Sequence, residues 1–381
     1  MPENISKRPD LLIVSDTAVY KNPEGSIVAF EPVVREIEHF AHLFGSITWI
    51  VFQYPYKTAK GNFREVNGVN IKYVLLSAIG GRGLFKRLRI VSAYFRLFVC
   101  IPQNIKRADV IHTRGPSHPA LVAILCSIIG NKKKIFWHKY AGNWIRKDDP
   151  FSYKINKYLL RNARRSKVTI NGKWPDQAEH VISFENPCLT ELERIGGQQV
   201  IRTKKFEGNL DFVFVGALTE NKGVGRIIET FKSLKGETNI GMLHLVGDGT
   251  ERNHYERITR DAGINCMFYG SLPKSDVIKV LSKCHVLLLP SDSEGFPKVV
   301  AEGANYGCIP VVSDVSCLGQ YIENQRNGYI IGNGKGLKEI IIEIIGTDSR
   351  TLAKIADEAF RMGSKFTYTK YIQRLDNEIL I

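Results

Sequence analysis

The feature that most constrains the fold is an alternation of short apolar runs with helix-length segments, which restarts near residue 190. Before that point lie runs such as "DLLIVSD" (10–16) and "SITWIVFQ" (46–53); after it lie "LDFVFVGAL" (210–218) and "CHVLLLPS" (284–291). Runs that are apolar on both faces predict parallel strands covered by helices on both sides. We therefore expect an α/β protein with two Rossmann-like, doubly wound parallel-sheet domains facing across a cleft.

The length of the chain supports two domains, because 381 residues exceed what one hydrophobic core usually holds. Pro187 and the pair Gly196-Gly197 interrupt the pattern and place the crossover between the domains in residues 184–199. We predict an N-terminal domain over 1–188 and a C-terminal domain over 189–364, both Rossmann-like. A C-terminal helix over 365–381 is expected to pack back on the first domain.

The charge of the chain is concentrated in its first half. Residues 1–195 hold 30 Lys and Arg against 16 Asp and Glu, whereas residues 196–381 hold 23 against 22. An excess of this kind favours an anionic partner such as membrane headgroups, a phosphorylated lipid or nucleic acid. For charge alone, a basic surface without such a partner is the simpler explanation.

One basic amphipathic stretch, "GGRGLFKRLRIVSAYFRLFVCIP" (80–102), suits an anionic membrane surface. A helix packed on the sheet with a solvated basic edge explains the pattern equally well. Seven cysteines without a CxxC pair favour reduced thiols. We expect a cytoplasmic protein that can attach to the inner face of the cell membrane. The basic residues of the stretch are Arg82, Lys86, Arg87, Arg89 and Arg96.

Ligands of open parallel sheets bind beyond the carboxyl ends of the strands, so polar residues at those ends are candidates for a site. The histidines His112, His118 and His138 are among these polar candidates. A lone histidine at a strand end is structural as often as it is functional. The residues placed at predicted strand ends are Asp16, His138, Gly216, Gly247, Gly270 and Glu294.

The stretch "FVFVGALTENKGVGRIIETF" (212–231) predicts a strand, a polar loop and a helix. Gly216 permits close backbone approach, and Lys222 precedes a helix whose first amides lack partners, which is a combination suited to anions. An ordinary turn with a surface lysine fits the same stretch. No GxGxxG motif follows a strand, which argues against a nicotinamide dehydrogenase, and Gly247 and Gly249 are interpreted as turn glycines.

The stretch "SDSEGFPKVVAEGANYGC" (291–308) holds two acids around a predicted helix. Pro297 suits the first helical position, and Gly307 suits the end. Glu294 then precedes the helix, while Glu302 lies in its second turn among small and apolar residues. A carboxylate there is costly unless donors such as sugar hydroxyls meet it, although a solvent-facing position is also compatible. Open amides on the same side would come from Gly295, Phe296 and Lys298.

Between Phe212 and Ile331 the chain resembles the retaining GT-B glycosyltransferases of family 4, the glycosyl transferases group 1. The resemblance rests on "FVFVGALTENKG", "LHLVGDGTER", "FYGSLPKSDVIKVLSKCHVLLLPSDSEGFPKVVAEGANYGCIPVVSDV" and "NGYII", in that order. It implies a GT-B fold and transfer of a sugar, with retention, from a UDP- or GDP-sugar to a glycan or lipid-linked glycan. Surface polysaccharide synthesis (capsule, O-antigen or exopolysaccharide) is the implied setting.

The resemblance also implies roles for individual residues. Glu302 should bind the ribose, Lys222 the diphosphate and Glu294 the transferred sugar. His138 is the preferred histidine for orienting that sugar, with His112 and His118 as rivals. The segment from Gly270 to Leu272 should lie beside the base. The implied catalytic residues are thus Glu294, His138 and Lys222; the implied donor-binding residues are Gly216, Lys222, Gly270, Ser271, Leu272, Glu294, Gly295, Phe296, Pro297, Lys298, Val299 and Glu302.

The sequence departs from the family pattern at two places. Ala217 stands where many relatives have an arginine for the diphosphate, so Lys298 or Arg226 compensates, or leaving-group stabilisation is weaker. The usual glycine-rich turn after the first strand is replaced by residues 15–40, with Gly25 as the nearest candidate. Because no Asp-x-Asp motif follows a strand, we expect no metal and no cofactor.

Two other classes of protein remain open from sequence. A nucleotide-sugar epimerase or a phosphorylase-like enzyme would share the GT-B architecture, although nothing in the sequence supports a pyridoxal lysine. A non-enzymatic binder of anionic ligands such as nucleic acid would use the basic half. No RNP, helix-turn-helix or zinc-finger pattern occurs, so no nucleic-acid partner is expected.

Overall fold

The computed structural model of the protein describes residues 8–56, 62–68, 70–77, 84–130, 133–146, 148–332 and 334–381, without the side chains of 84–93. The chain forms two compact units. Unit 1 comprises Met1–Glu185 with Tyr371–Ile381, and unit 2 comprises Asn186–Lys370. The division therefore falls before the predicted residue 188, and the returning C-terminal segment starts later than the predicted residue 365.

Up to Glu185, unit 1 is an α/β unit of four α-helices and nine strands in the described ranges. Its helices are α1 (Glu31–Phe40), α2 (Leu84–Ile105), α3 (His118–Ile129) and α4 (Phe151–Asn162). Its strands are β1 (Leu11–Lys21), β2 (Ile27–Phe30), β3 (Ile47–Tyr54), β4 (Phe63–Arg64), β5 (Ile71–Ser77), β6 (Val110–Gly115), β7 (Ile135–Tyr140), β8 (Lys167–Ile170) and β9 (Val181–Ser183).

The sheet of unit 1 is parallel in the order β5-β3-β1-β6-β7-β8-β9, as the apolar runs predict. An antiparallel extension, formed by β2 on β1 and β4 on β2, was not predicted. Gly25 lies in the tight turn of this β1–β2 hairpin with φ +90°, where its amide donates to the Asn22 carbonyl oxygen at 3.0 Å. Gly25 thus supplies the positive φ that this hairpin turn requires, and its place as the nearest candidate for the glycine-rich turn stays a prediction.

Alternate residues of β1 supply the cores on the two faces of the unit 1 sheet. Leu11 and Ile13 pack in one cluster with α1, while Leu12 and Val14 pack in another with α2 and α3. This is the period-2 alternation of a strand that is covered on both sides. The C-terminal segment completes the α1 face, because α12 (Tyr368–Arg374) continues into a π-helical turn whose Leu375 and Ile379 are buried there.

Unit 2 is a second parallel α/β unit. Its helices are α5 (Glu191–Thr203), α6 (Val224–Ser233), α7 (Arg252–Asp261), α8 (Lys274–Lys283), α9 (Lys298–Asn305), α10 (Leu337–Gly346) and α11 (Ser349–Gly363). Its strands are β10 (Leu210–Val215), β11 (Ile240–Val246), β12 (Cys266–Gly270), β13 (Val286–Leu289), β14 (Ile309–Ser313) and β15 (Tyr329–Ile331).

The strand order of unit 2 is β12-β11-β10-β13-β14-β15, and each strand is parallel to its neighbours. From β10 the strands follow one another toward one edge of the sheet, and from β13 they follow one another toward the other edge. Such a reversal opens a crevice at the carboxyl ends of the two strands, where ligands of this class of sheet bind. The site of unit 2 is therefore expected in the loops that follow β10 and β13.

The glycine pair interpreted as a chain interruption lies inside a helix instead. α5 begins at a capping box formed by Thr190 and Glu193 and continues through Gly196 and Gly197. A Cβ on Gly197 would lie 2.2 Å from the carbonyl oxygen of Asn305, at the end of α9. The prediction that these glycines punctuate the crossover is wrong, since Gly197 allows two helices to approach closely.

Candidate functional site

The loops that follow β10 and β13 touch through their backbones. The amide of Asp292 donates to the carbonyl oxygen of Asn221 at 2.9 Å. Gly223 has φ +74°, and a Cβ there would lie 2.1 Å from the carbonyl oxygen of Pro290. Only glycine fits this position without displacing the neighbouring loop. The contact fixes the residue before it, Lys222, at the switch point.

Lys222 and Glu294 form an ion pair across the switch point. The Lys222 Nζ lies 2.7 Å from Glu294 Oε1, and 28% of the lysine side chain but 8% of the glutamate side chain is exposed. The sequence predicted both residues for this site without predicting their contact. The arrangement places an ammonium group that can meet an anion next to a carboxylate that can accept from hydroxyl groups.

The loop between Glu294 and α9 is anchored by an aromatic side chain. Phe296 is buried and stacks on Phe366, with ring centroids 4.3 Å apart, so only its backbone can serve a ligand. Pro297 is the N-cap of α9 rather than its first residue, which is Lys298. This corrects the predicted helix start. Gly295, Pro297, Lys298 and Val299 are half-buried.

Glu302 lies on α9 in a half-buried position and is paired with a lysine that the sequence did not single out. Lys274 Nζ lies 2.9 Å from Glu302 Oε1, 3.2 Å from Glu193 Oε1 and 2.9 Å from the carbonyl oxygen of Cys188. The donor that a carboxylate needs at this position is thus present in the protein itself. A basic residue at the start of the helix after "GSLP" was the signal available in the sequence.

Glycines bring the remaining loops of the site together. A Cβ on Gly247 would lie 1.8 Å from the Gly216 carbonyl oxygen, and one on Gly249 would lie 2.3 Å from that of Leu218. Both positions therefore require glycine for packing, consistent with their interpretation as turn glycines. Gly270 ends β12 with φ +70° beside Arg252, and the exposed Ser271 and half-buried Leu272 follow.

Ala217 is exposed directly after Gly216, so the position of the expected arginine is open to solvent. Of the two proposed substitutes, Arg226 lies on α6 and contacts the loop after β13. Its Nη2 lies 2.6 Å from Asp292 Oδ1 and donates to the Pro290 carbonyl oxygen. Lys298 begins α9. Compensation by either residue stays a prediction.

His138 lies inside β7 and not at its end, which corrects the prediction. The ring is 1% exposed, with Nδ1 hydrogen-bonded to Thr113 Oγ1 at 2.9 Å and Nε2 to Ser127 Oγ at 3.2 Å. Burial lowers the pKa of His138 to about 3, so the imidazole is neutral. Both nitrogens are used within unit 1, and the ring is a core histidine.

The two rival histidines differ in exposure. His112 is buried in β6 and stacks on Trp137 at a centroid distance of 3.6 Å, and burial holds its pKa well below the usual range. His118 begins α3, is exposed, and hydrogen-bonds to the Tyr94 hydroxyl.

Asp16 lies within β1, at a register irregularity between Val14 and Ala18, and not at the strand end as predicted. Desolvation raises the pKa of the Asp16 carboxyl, and a backbone hydrogen bond together with the charges of His118 and Arg114 partly offsets that rise.

The basic stretch is described only in part. Arg82 and the side chains of Lys86, Arg87 and Arg89 lie outside the described residues. Arg96 is exposed on α2, in a groove of about 390 Å³ between α2 and β5 that Leu75, Phe95 and Val99 also line.

No helix in the described ranges is both long and apolar enough to cross a membrane. Those ranges also hold no cluster of three or more His, Cys, Asp or Glu suited to a metal ion.

Comparison with known proteins places these residues in a family context. Residues 198–362 match the family model "Glycosyl transferases group 1". An uncharacterized glycosyltransferase of Methanocaldococcus jannaschii is 29% identical over 172 residues, 44% of this chain and 47% of that protein. The chain therefore spans about half the length of that relative. The Escherichia coli O-antigen biosynthesis glycosyltransferase WclY is 24% identical over 68% of this chain and 76% of its own length.

The similarity in structure covers nearly the whole chain. The Anabaena protein HepE, solved in complex with UDP, has a TM-score of 0.66 and 14% identity over 97% of this chain and 98% of its own. Likeness at this identity shows the fold, which is GT-B with two Rossmann-like units. The family match covers residues 198–362, which make up most of unit 2.

Proposed function

We propose that the protein transfers a sugar from a UDP- or GDP-sugar to a glycan or lipid-linked glycan acceptor, with retention, in surface polysaccharide synthesis. The observation that carries this proposal is the Lys222–Glu294 ion pair at the switch point of unit 2. Both residues lie inside the segment that matches the glycosyl transferases group 1 model. The similarity to an O-antigen glycosyltransferase supports the polysaccharide setting, and HepE with UDP supports a nucleotide donor.

Lys222 and the first turn of α9 would stabilise the leaving diphosphate. Charge accumulates on the phosphate oxygen as the anomeric C–O bond breaks, and a fixed ammonium group and helix amides lower the energy of that charge. Lys222 is held by the Gly223 contact and is 28% exposed, so it can reach an anion. This chemistry requires neither a metal nor a cofactor, and we propose that the protein uses neither.

Glu294 would bind the transferred sugar, because its carboxylate accepts hydrogen bonds from hydroxyl groups while Lys222 neutralises its charge. Glu302 would bind the ribose hydroxyls. Retention would follow from attack on the same face from which the phosphate departs, with a phosphate oxygen taking the acceptor proton. NMR of the product tests retention, since inversion at the anomeric carbon would contradict it.

A panel of UDP-, GDP- and ADP-sugars in a thermal-shift assay tests the donor class. We expect one UDP- or GDP-sugar to raise the melting temperature of the wild type, and Lys222→Met to abolish most of the shift. Glu294→Gln should lower turnover more than binding, and Glu302→Gln should lower binding. Lys279→Met, an exposed lysine of α8, is the matched control. A wild type that responds to no nucleotide sugar would refute the proposal.

We further propose that α2 contacts an anionic membrane surface, which would bring the enzyme to a lipid-linked acceptor. α2 exposes Phe95 (72%) and Phe98 (51%) beside Arg96, a combination of apolar and basic side chains that suits the headgroup boundary. Flotation with vesicles containing phosphatidylglycerol should recover the wild type at low salt. Replacing both phenylalanines with serine should reduce recovery, and equal recovery would contradict this contact.

A further inference from the structure

The ammonium group of Lys274 joins three separate parts of unit 2. Lys274 is the first residue of α8, and 21% of its side chain is exposed. Its Nζ lies 2.9 Å from Glu302 Oε1, 3.2 Å from Glu193 Oε1 and 2.9 Å from the Cys188 carbonyl oxygen. An ammonium group has three donors, and each of these contacts can take one.

Two of the three partners are themselves fixed by the backbone. Glu193 Oε2 accepts from the Thr190 amide at 2.8 Å, and Thr190 Oγ1 accepts from the Glu193 amide at 3.1 Å, which is the capping box of α5. The amide of Cys188 donates to the Phe366 carbonyl oxygen at 2.9 Å. Lys274 is therefore held in place by groups that do not depend on Glu302.

This arrangement orients the Glu302 carboxylate. The Oε1 atom is taken by Lys274, whereas Oε2 accepts no hydrogen bond within the part of the chain that the structure describes. One oxygen is thus anchored and the other is available for a ligand donor. Without the lysine, the carboxylates of Glu302 and Glu193 would face each other as unshielded negative charges, and the Glu302 side chain would turn away.

We propose that Lys274 is a positioning residue that holds Glu302 ready for the ribose hydroxyls of the donor nucleotide. This inference rests on the proposed function, because it needs a nucleotide at Glu302. Lys274 touches the carboxylate and not the reacting atoms, so it should govern selection for the ribose rather than the chemical step. The effect of its removal on ribose binding should pass through Glu302.

The test measures the affinity of Lys274→Met for UDP and GDP and for their 2′,3′-dideoxy forms by calorimetry. The wild type should bind the better ribonucleotide at least tenfold more tightly than its dideoxy form. The affinity of the variant for the ribonucleotide should be about tenfold lower than that of the wild type, or about 1.4 kcal/mol, while its affinity for the dideoxy form should be unchanged. Lys279→Met is the control on the same helix, because Lys279 is 73% exposed and pairs only locally with Asp276.

A second comparison separates positioning from a general structural effect. Glu302→Gln and the double variant Lys274→Met/Glu302→Gln should bind the ribonucleotide equally, since the lysine acts through the glutamate. Lys274→Gln keeps a donor for the Cys188 carbonyl oxygen and replaces the methionine variant if that variant does not fold. The same loss of ribose selection is expected for it.

The outcomes distinguish this inference from the proposed function. A wild type that binds neither nucleotide refutes both. A wild type that binds a ribonucleotide, combined with a Lys274 variant of unchanged ribose selection, refutes the role of Lys274 alone. Equal weakening of the ribose and dideoxy forms would also overturn it, because a structural defect would not distinguish them.

Discussion

Of two neighbouring glycines of α5, Gly197 is packed against Asn305 and Gly196 has open space beside it. Alanine at these two positions should therefore change the stability of the fold in opposite directions. A Cβ on Gly197 would lie 2.2 Å from the Asn305 carbonyl oxygen and 2.6 Å from its Nδ2, whereas one on Gly196 would meet nothing within 4 Å. We predict that Gly197→Ala lowers the free energy of unfolding and that Gly196→Ala raises it. Each variant is the matched control of the other.

The magnitude follows from three contributions. Alanine favours a helix over glycine by about 1 kcal/mol, and Gly196→Ala should gain up to that amount. At Gly197 the same gain is opposed by overpacking against backbone, which costs about 1–3 kcal/mol. Displacing Asn305 also weakens its bonds with the Glu193 carbonyl oxygen (2.8 Å) and with Arg194 (2.7 Å), at about 1 kcal/mol each. Because both variants share the gain in helix propensity, they should differ by the overpacking and the two weakened bonds, about 3–5 kcal/mol in free energy of unfolding.

Urea denaturation followed by circular dichroism measures this difference as a shift of the midpoint. Because α5 and α9 both belong to unit 2, the transition of unit 2 is the one to compare. Equal midpoints for the two variants would refute the close contact between α5 and Asn305. A more stable Gly197→Ala would refute it as well.

Three further predictions concern other contacts. Burial holds the pKa of His138 at about 3, below the ordinary 6.5, so the unfolded chain binds the extra proton and stability falls as pH falls below 6.5. Between pH 7 and pH 5 the free energy of unfolding of the wild type should fall by about 2 kcal/mol more than that of His138→Asn. Denaturant midpoints measure this difference, and parallel pH profiles of the two proteins would contradict the prediction. Gly223→Ala should lower turnover at least tenfold, because its Cβ would displace the Pro290 carbonyl oxygen and misplace the adjacent lysine; steady-state kinetics with unchanged kcat would argue against it. Tyr371→Phe should lower the free energy of unfolding by about 1–3 kcal/mol, because the Tyr371 hydroxyl donates at 3.0 Å to the fully buried Glu36. An unchanged unfolding midpoint would refute that role.

The parts of the fold that the sequence predicts well are those with local signals. Apolar runs over 46–53 and 284–291 became β3 and β13 because strands buried on both faces must be apolar throughout. The hairpin of β1 and β2 was missed, since its strand continues past an exposed Asp16 that ends the apolar run. His138 was placed at a strand end because polar residues usually end buried strands, yet Thr113 and Ser127 satisfy the ring inside the core.

The two parallel α/β units and the candidates Lys222, Glu294 and Glu302 could be predicted from the amino-acid sequence, because strand patterning and motif spacing are local properties of the chain. The groups that these residues meet could be identified in the folded chain only. The pair of Lys222 with Glu294 joins loops after β10 and β13, and Lys274 reaches Glu302 and Glu193 from a third helix. Such contacts depend on strand order and on glycines that allow backbones to touch. Neither can be deduced from the spacing of residues along the chain.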